Sequence, residues 1–191
     1  MKSSRGDGVA DLDAIVAEVA HALNKAGVRY MVIGGVANAV WGRPRATTDI
    51  DIVIGIGAGQ TPKILKALGK QIARKPDDPQ DFVHATGIFP FDHRSGVRVE
   101  IIFGTLPFAI EGIERAVEIH VCGVPVRFCT PEDLFLHKIA SDRERDRTDV
   151  EGIVRLRKAS LDREYLEPRV RELAFILEKP EIEARYRKLM T

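Results

Sequence analysis

Two aspartates separated by one residue, Asp49 and Asp51, stand at the start of an apolar segment rich in β-branched residues. Side chains alternate between the two faces of a β-strand, so both carboxylates would point the same way, about 7 Å apart. Like charges at this separation repel, and a cation between them relieves the repulsion. Mg²⁺ prefers carboxylate oxygens and commonly binds substrate phosphates as well. The pair therefore indicates a divalent-cation site suited to phosphate chemistry.

A third acid, Glu100, lies in the apolar segment 97–103. A strand there, beside the aspartate strand, would bring three carboxylates together. Three carboxylates are a ligand set for two metal ions roughly 3.5–4 Å apart that clamp a phosphoryl displacement. Two other interpretations stay open, because Glu100 could face water on an edge strand or form an ion pair with Arg98. If Glu100 is not the third ligand, Asp92 is the nearest substitute, although its segment is predicted to be a loop.

The elements that must position these acids are predicted from hydrophobic periodicity and from breaker residues. Up to the aspartate pair we predict a helix over 11–25, a strand over 30–33, a tight turn at Gly34-Gly35, a helix over 36–41, a loop over 42–45 and a strand over 50–54. Beyond it we predict a helix over 61–74, a loop over 75–80, strand pairs 85–89 with 97–103 and 117–121 with 124–128, and helices over 131–141, 147–158, 162–177 and 182–190.

This order of elements predicts an α+β fold, in which a small mixed β-sheet is flanked by helices. We expect an α/β domain over residues 9–129 and a C-terminal helical region over 130–191. Thr130 followed by Pro131 is a typical helix start and marks the boundary between the two parts. The active site is expected in the cleft between them.

Composition narrows the class of protein. Of the 191 residues, 45% are hydrophobic and 30% are charged, as in soluble globular proteins. The formal charge of +1 argues against a generic basic nucleic-acid binder but not against a local basic patch. No run approaches the roughly 20 apolar residues that span a bilayer, so no membrane partner is expected. The two cysteines, Cys122 and Cys129, are expected to stay reduced in a cytoplasm.

A longer pattern surrounds the acids, with Gly-Gly at 34–35 and Arg-x-Thr-x-Asp-x-Asp at 45–51. This pattern resembles the signature of the nucleotidyltransferase superfamily of the DNA polymerase β type. The Gly-Gly form and the small size resemble its AbiEii-like branch of minimal nucleotidyltransferases, which includes toxins of bacterial toxin–antitoxin and phage-defence systems. The resemblance continues through 130–138 and 143–150 and covers about 28–153.

The resemblance implies Mg²⁺-dependent transfer of a nucleoside monophosphate from an NTP to the hydroxyl of a protein, a tRNA end or a small molecule. Asp49, Asp51 and Glu100 would bind two Mg²⁺ ions, and Glu100 would help deprotonate the attacking hydroxyl. Backbone N–H groups of the glycine pair and the side chain of Lys138 would hold the triphosphate. The residues implied in nucleotide binding are Gly34, Gly35, Arg45, Thr47 and Lys138.

The resemblance also suggests a bacterial toxin with a cognate antitoxin as its partner. Two positions differ from the usual superfamily pattern, since Gly35 stands in place of serine and Glu100 in place of aspartate. The exchange at Glu100 supports an alternative function. In it, the chain is a catalytically inactive nucleotide-binding module, antitoxin-like, that acts through a protein partner.

Other polar residues have local interpretations. Thr47 is expected to hydrogen-bond the turn before its strand, Trp41 to lie in the core, and the loop histidines His84 and His93 to be exposed. Arg45 is equally compatible with shielding phosphates and with a solvated loop. The charges over 142–149 recur at helical spacing, which favours a salt-paired helix surface.

Overall fold

The computed structural model describes residues 11–104 and 107–191. In this part of the chain nine α-helices and seven β-strands form an α+β fold, as predicted. The helices are α1 (Leu12–Lys25), α2 (Gly34–Trp41), α3 (Thr61–Leu68), α4 (Pro79–Thr86), α5 (Pro107–Arg115), α6 (Pro131–Ile139), α7 (Glu144–Arg157), α8 (Arg163–Ile176) and α9 (Glu181–Met190). The strands are β1 (Tyr30–Ile33), β2 (Asp49–Ile54), β3 (Ile72–Arg74), β4 (Ile88–His93), β5 (Arg98–Phe103), β6 (Val117–Val121) and β7 (Val124–Phe128).

All seven strands belong to one mixed sheet, in the order β3-β4-β5-β2-β1-β7-β6. The central strand β2 runs antiparallel to β1 and parallel to β5. Strand β1 is buried throughout, while β2 alternates partly exposed and buried positions over its first half. The centre of the sheet is therefore the place where polar side chains on β2 can be held by well-packed neighbours.

Four helices follow β7, as predicted; three of them begin within one residue of the predicted start, whereas α7 begins at Glu144, three residues earlier than predicted. Thr130 caps α6 by accepting a hydrogen bond from the backbone N–H of Asp133, with Pro131 at the first helical position. Trp41 packs against the core, as predicted, and donates from Nε1 to the Cys129 carbonyl. One hydrophobic cluster runs from the sheet into these helices. The division into two domains at residues 129 and 130 stays a prediction. The predicted start of the first domain, at residue 9, lies outside the described residues.

Three predicted elements are wrong, each because a single residue starts or ends a helix at a position that the prediction missed. The helix predicted over 61–74 ends at Leu68, because Gly69 adopts φ +46° and residues 72–74 pair with β4 instead. Residues 75–80 do not form one loop, since helix α4 begins at Pro79 and its N-cap Asp78 accepts from two backbone N–H groups. The strand predicted over 85–89 therefore starts later, at Ile88, after the left-handed residue Gly87.

Helix α5, over Pro107–Arg115, follows β5 and was not predicted. It packs against the two central strands and buries Ala109, Gly112 and Ile113. In the part of the chain that the structure describes, no helix is both long enough and apolar enough to cross a membrane.

Candidate active site

The three predicted carboxylates lie on two neighbouring strands at the centre of the sheet. Asp49 and Asp51 lie on β2, and in the parallel pairing with β5 Asp51 stands opposite Glu100. Opposed residues, and residues two apart on one strand, share a face of the sheet. The sheet therefore places all three acids on one face, with neighbouring strands about 4.8 Å apart.

The Asp51 carboxylate carries the least compensated charge of this group. Burial raises its pKa, and the nearby charges of Asp49 and Glu100 raise it further, to about 6. The positive charges of Lys138 and Arg143 act in the opposite direction and are smaller effects. Among the described residues, the Asp51 side chain has no hydrogen-bond or ion-pair partner. This part of the site is thus an excess of negative charge that a cation would offset.

The other two acids have only light contacts. Asp49 accepts one side-chain hydrogen bond, from the Thr47 hydroxyl at 2.8 Å. Glu100 lies 3.9 Å from the Arg98 guanidinium, and its side chain is 37% exposed. This ion pair was one of the open interpretations of Glu100, and it is at the outer limit of the distance for a salt bridge. Glu100 is therefore held weakly enough to move toward a bound ion.

The donor set of the site fits a hard divalent cation. Within 11–104 and 107–191, no three His, Cys, Asp or Glu side chains are already gathered closely enough to hold an ion. The fit rests instead on the chemistry of the donors, which are carboxylate oxygens from adjacent strands. It rests also on Asp51, whose pKa of about 6 reflects a charge without compensation.

Gly34 lies directly against Asp51 and Gly35 against Thr47, and the small size of both glycines is required there. Gly34 has φ +68°, and a Cβ atom built on it would lie 1.9 Å from Oδ2 of Asp51. A Cβ on Gly35 would lie 2.3 Å from the Thr47 hydroxyl oxygen. Both glycines belong to α2, so the tight turn predicted there is the first turn of the helix. The N-terminus of α2 is consequently beside the Asp51 carboxylate.

The Thr47 hydroxyl makes a local hydrogen bond, as predicted, but its partner is Asp49 on β2 and not the turn before that strand. It donates to the Asp49 carboxylate and comes within 3.5 Å of the Asp49 carbonyl oxygen. A contact between Thr47 and a nucleotide stays a prediction.

A buried cluster of charges lies between the sheet and the C-terminal helices. Lys138 on α6 is only 5% exposed, and its ammonium donates to Asp146 at 3.0 Å and to Asp149 at 2.6 Å. Arg45 donates to both carboxylate oxygens of Asp149, with Nε and Nη2 each at 3.0 Å from the nearer one. We call Lys138, Asp146, Asp149 and Arg45 the buried ion cluster. Arg45 and Lys138 were both predicted to bind nucleotide, and in this structure both are held by Asp149.

The prediction of a salt-paired surface over 142–149 is wrong for two of the acids. Asp146 and Asp149 are buried, at 2% and 3% exposure. Burial raises the pKa of Asp146, but hydrogen bonds from Ser141 and Lys138 outweigh burial, and the pKa is lowered. Periodicity could not reveal this burial, because the covering atoms come from other elements. The prediction is right for Asp142 and Arg147, which form an exposed pair at 3.8 Å.

The remaining candidates lie apart from the carboxylates or have partners of their own. His84 is exposed on α4, as predicted, but His93 is buried at the end of β4, where its Nε2 lies 3.2 Å from Glu18. Asp92, the substitute for Glu100, lies on β4 and not in a loop, and it pairs with Arg98 at 3.2 Å. Arg98 therefore lies between Asp92 and Glu100.

Comparison with known proteins agrees with this geometry. Residues 13–188 match the family described as "Nucleotidyl transferase of unknown function (DUF2204)". No curated protein matches the sequence.

Several solved structures share the fold. An antigenic nucleotidyltransferase-like protein from Paracoccidioides brasiliensis is 18% identical, with a TM-score of 0.57 over 92% of this chain and 91% of the other. The lincomycin-bound lincosamide antibiotic adenylyltransferase LnuA is 15% identical, with a TM-score of 0.52 over 77% and 98%. The antibiotic-resistance factor ANT(2'')-Ia is 16% identical, with a TM-score of 0.53 over 93% and 94%.

Proposed function

Because the chain belongs to this family of nucleotidyl transferases, we propose that it moves a nucleoside monophosphate from an NTP to an acceptor hydroxyl in a Mg²⁺-dependent reaction. A bond forms between the acceptor oxygen and the α-phosphorus. The bond from the α-phosphorus to the bridging oxygen breaks, and pyrophosphate leaves. One observation carries the proposal: Asp49, Asp51 and Glu100 share a face of the sheet, and Asp51 lies directly beside the N-terminus of α2.

Asp49, Asp51 and Glu100 are the residues that would hold Mg²⁺, which when bound would neutralise charge on the triphosphate and acidify the acceptor hydroxyl. Glu100 is the acid that we assign to take the proton of that hydroxyl, because its side chain is 37% exposed and its ion pair with Arg98, at 3.9 Å, is long. Thr47 holds the Asp49 carboxylate in place through its hydrogen bond.

The start of α2 is the proposed place for the phosphates. Backbone N–H groups of a helix's first turn lack partners within the helix, and the helix dipole adds partial positive charge there. The absence of side chains at Gly34 and Gly35 lets a phosphate approach this backbone closely. In this site Gly35 offers only backbone where a serine would add a hydroxyl.

Lys138 and Arg45 contribute to the proposal mainly through their charge. The positive charge of Lys138 lowers the pKa of Asp51 from where burial alone would set it. A direct contact of either side chain with a phosphate would require it to leave Asp149, which both now contact.

The biological part of the proposal rests on the resemblance of the sequence to the AbiEii-like branch. It comprises a toxin or phage-defence role in the cytoplasm of a bacterium, a cognate antitoxin as partner, and transfer to a protein, a tRNA end or a small molecule. The structures that share the fold include antibiotic adenylyltransferases, and this favours testing small-molecule acceptors together with macromolecules.

The test uses purified protein with Mg²⁺, each of four α-labelled NTPs, and cell extract. We expect wild type to label an acceptor, and the Asp49→Asn, Asp51→Asn double variant to lose at least about 100-fold in rate while keeping its fold. Asp77→Asn is the matched control, because Asp77 is exposed and outside the site. Protease and nuclease treatment of the product then separates protein, RNA and small-molecule acceptors.

The alternative of an inactive nucleotide-binding module makes a different prediction in the same experiment. It predicts NTP binding that depends on Asp49 and Asp51, with no label transferred from any NTP. That result would overturn the proposed transfer reaction. The presence of Glu100 where the superfamily usually has aspartate is the observation that favours this alternative.

A further inference from the structure

The segment 42–48 connects α2 to the carboxylate strand β2, and it has no regular secondary structure of its own. Three contacts hold it from outside. The Asn38 side-chain amide donates to the Arg43 carbonyl at 2.9 Å. The Arg45 guanidinium binds Asp149 through two nitrogens. Gly152 on α7 is so close that a Cβ on it would lie 3.3 Å from the Arg43 backbone nitrogen.

Asp149 is linked to two of these contacts, since it binds the Arg45 guanidinium and also accepts from the Asn38 amide. Its Oδ1 accepts from Arg45 Nε and from the Asn38 amide at 3.2 Å, and its Oδ2 accepts from Arg45 Nη2 and Lys138. A carboxylate that accepts several charge-assisted hydrogen bonds in a buried setting has one strongly preferred geometry. Asp149 therefore joins α2, segment 42–48 and α6 to helix α7.

We infer that Asp149 is a positioning residue for the active site, which acts through Arg45 to hold segment 42–48 and thereby the start of β2 with Thr47 and Asp49. Thr47 is two residues after Arg45 and donates directly to the Asp49 carboxylate. A segment that moved freely at Arg45 would move this donor. The inference deepens the proposed function and rests on it for the consequence at the metal-binding acids.

A purely structural role for Asp149 would consist in balancing the buried charge of Lys138. The positioning role depends on the contact of Asp149 with Arg45, and the structural role depends on its contact with Lys138, so substitutions can separate the two. Arg45→Met removes the contact with the segment and leaves Lys138 paired with Asp146 and Asp149. Asp149→Asn removes the carboxylate charge that binds both Arg45 and Lys138. Asp149→Glu retains that charge.

The experiment measures amide hydrogen exchange over residues 43–50 and the affinity for Mn²⁺ alone, in wild type, Arg45→Met, Asp149→Asn, Asp149→Glu and the Arg45→Met, Asp149→Asn double variant. Arg147→Met is the matched control, since Arg147 is exposed on the same helix and, among residues 11–104 and 107–191, forms an ion pair only with Asp142. Peptides from α8 and α9 serve as the internal reference for global unfolding.

We expect exchange over 43–50 and the Mn²⁺ dissociation constant each to rise about 10-fold in Arg45→Met and in Asp149→Asn. The double variant should be no worse than Asp149→Asn alone, because that substitution already breaks the contact with Arg45. Asp149→Glu should recover part of the loss, and Arg147→Met should match wild type.

Unchanged exchange over 43–50 in Arg45→Met would overturn the inference, and so would effects that multiply in the double variant. A wild type that binds no Mn²⁺ would contradict the proposed metal-dependent reaction. The exchange data would in that case still decide whether Asp149 holds the segment.

Discussion

The carboxylate face of the sheet and the buried ion cluster use the same residue types in opposite ways. On the sheet, Asp51 has no partner among the described side chains, and its pKa is raised to about 6. In the cluster, Asp146 is hydrogen-bonded by Lys138, Ser141 and Arg143, and its pKa is lowered in spite of burial. The two regions are joined through Arg45 and the segment that follows it.

This difference distinguishes the candidate active site on the sheet from the buried ion cluster that supports it. A buried carboxylate with hydrogen-bonded cations has no remaining need for a ligand. Carboxylates grouped without cations cost stability, and a fold keeps such a group where binding or catalysis benefits from it. The contrast therefore favours Asp49, Asp51 and Glu100 as the reacting centre, and Lys138 and Asp149 as residues that hold its surroundings.

The largest effect is expected from breaking the cluster. Lys138→Met removes the ammonium shared by Asp146 and Asp149, and leaves two buried acids with fewer partners. We expect a loss of about 3 kcal/mol in the free energy of unfolding, measured by urea denaturation. Lys63→Met, on the exposed side of α3, should stay within about 0.5 kcal/mol of wild type. Equal stability of the two variants would show that the cluster is not a structural support.

The opposite sign is expected on the carboxylate face. The pKa of Asp51 is raised from 3.8 to about 6, so the folded state binds the proton more tightly than the unfolded chain. The resulting stabilisation is present in full below pH 4 and is lost as the pH rises to 6 and beyond. Asp51→Asn should therefore be more stable than wild type at pH 8, by about 3 kcal/mol, with a much smaller gain at pH 4.

Thermal melting of wild type and Asp51→Asn across this pH range, without divalent cations, measures the prediction. Asp77→Asn serves again as the control, because its carboxylate is exposed. An Asp51→Asn variant that is less stable than wild type at pH 8 would contradict the view that the acids are strained without a cation.

The smallest effect on stability is expected from substituting Gly34, where the start of helix α2 meets the Asp51 carboxylate. Gly34 and Gly27 both adopt positive φ, +68° and +62°, but only Gly34 lies against an acid. Gly27→Ala should destabilise the fold by about 1 kcal/mol through backbone strain and should leave activity unchanged. Alanine at Gly34 should cost similar strain and also displace the Asp51 carboxylate, with loss of Mn²⁺ binding. Mn²⁺ titration of both variants checks this, and equal binding would place the metal away from Asp51.

Much of the fold follows from local patterns. The strands at 30–33, 117–121 and 124–128 and the helices after Thr130 were predictable, because their hydrophobic spacing and end signals are unambiguous. The wrong assignments, at 69–88, fall where the end of helix α3, strand β3 and helix α4 follow one another within about twenty residues. There Gly69, Asp78 and Gly87 are the deciding residues, and a window of ordinary length averages over them.

The placement of the three acids on neighbouring strands was also predictable, since the spacing of Asp49 and Asp51 and the isolation of Glu100 among apolar residues are features of the sequence alone. The sequence likewise determined the glycine pair, the start of the helical region and the resemblance to nucleotidyltransferases. The tertiary structure decided which charges are compensated. Lys138, Asp146, Asp149 and Arg45 meet across more than ninety residues of chain, and the energy of a charge depends on what surrounds it in space rather than on its neighbours in sequence.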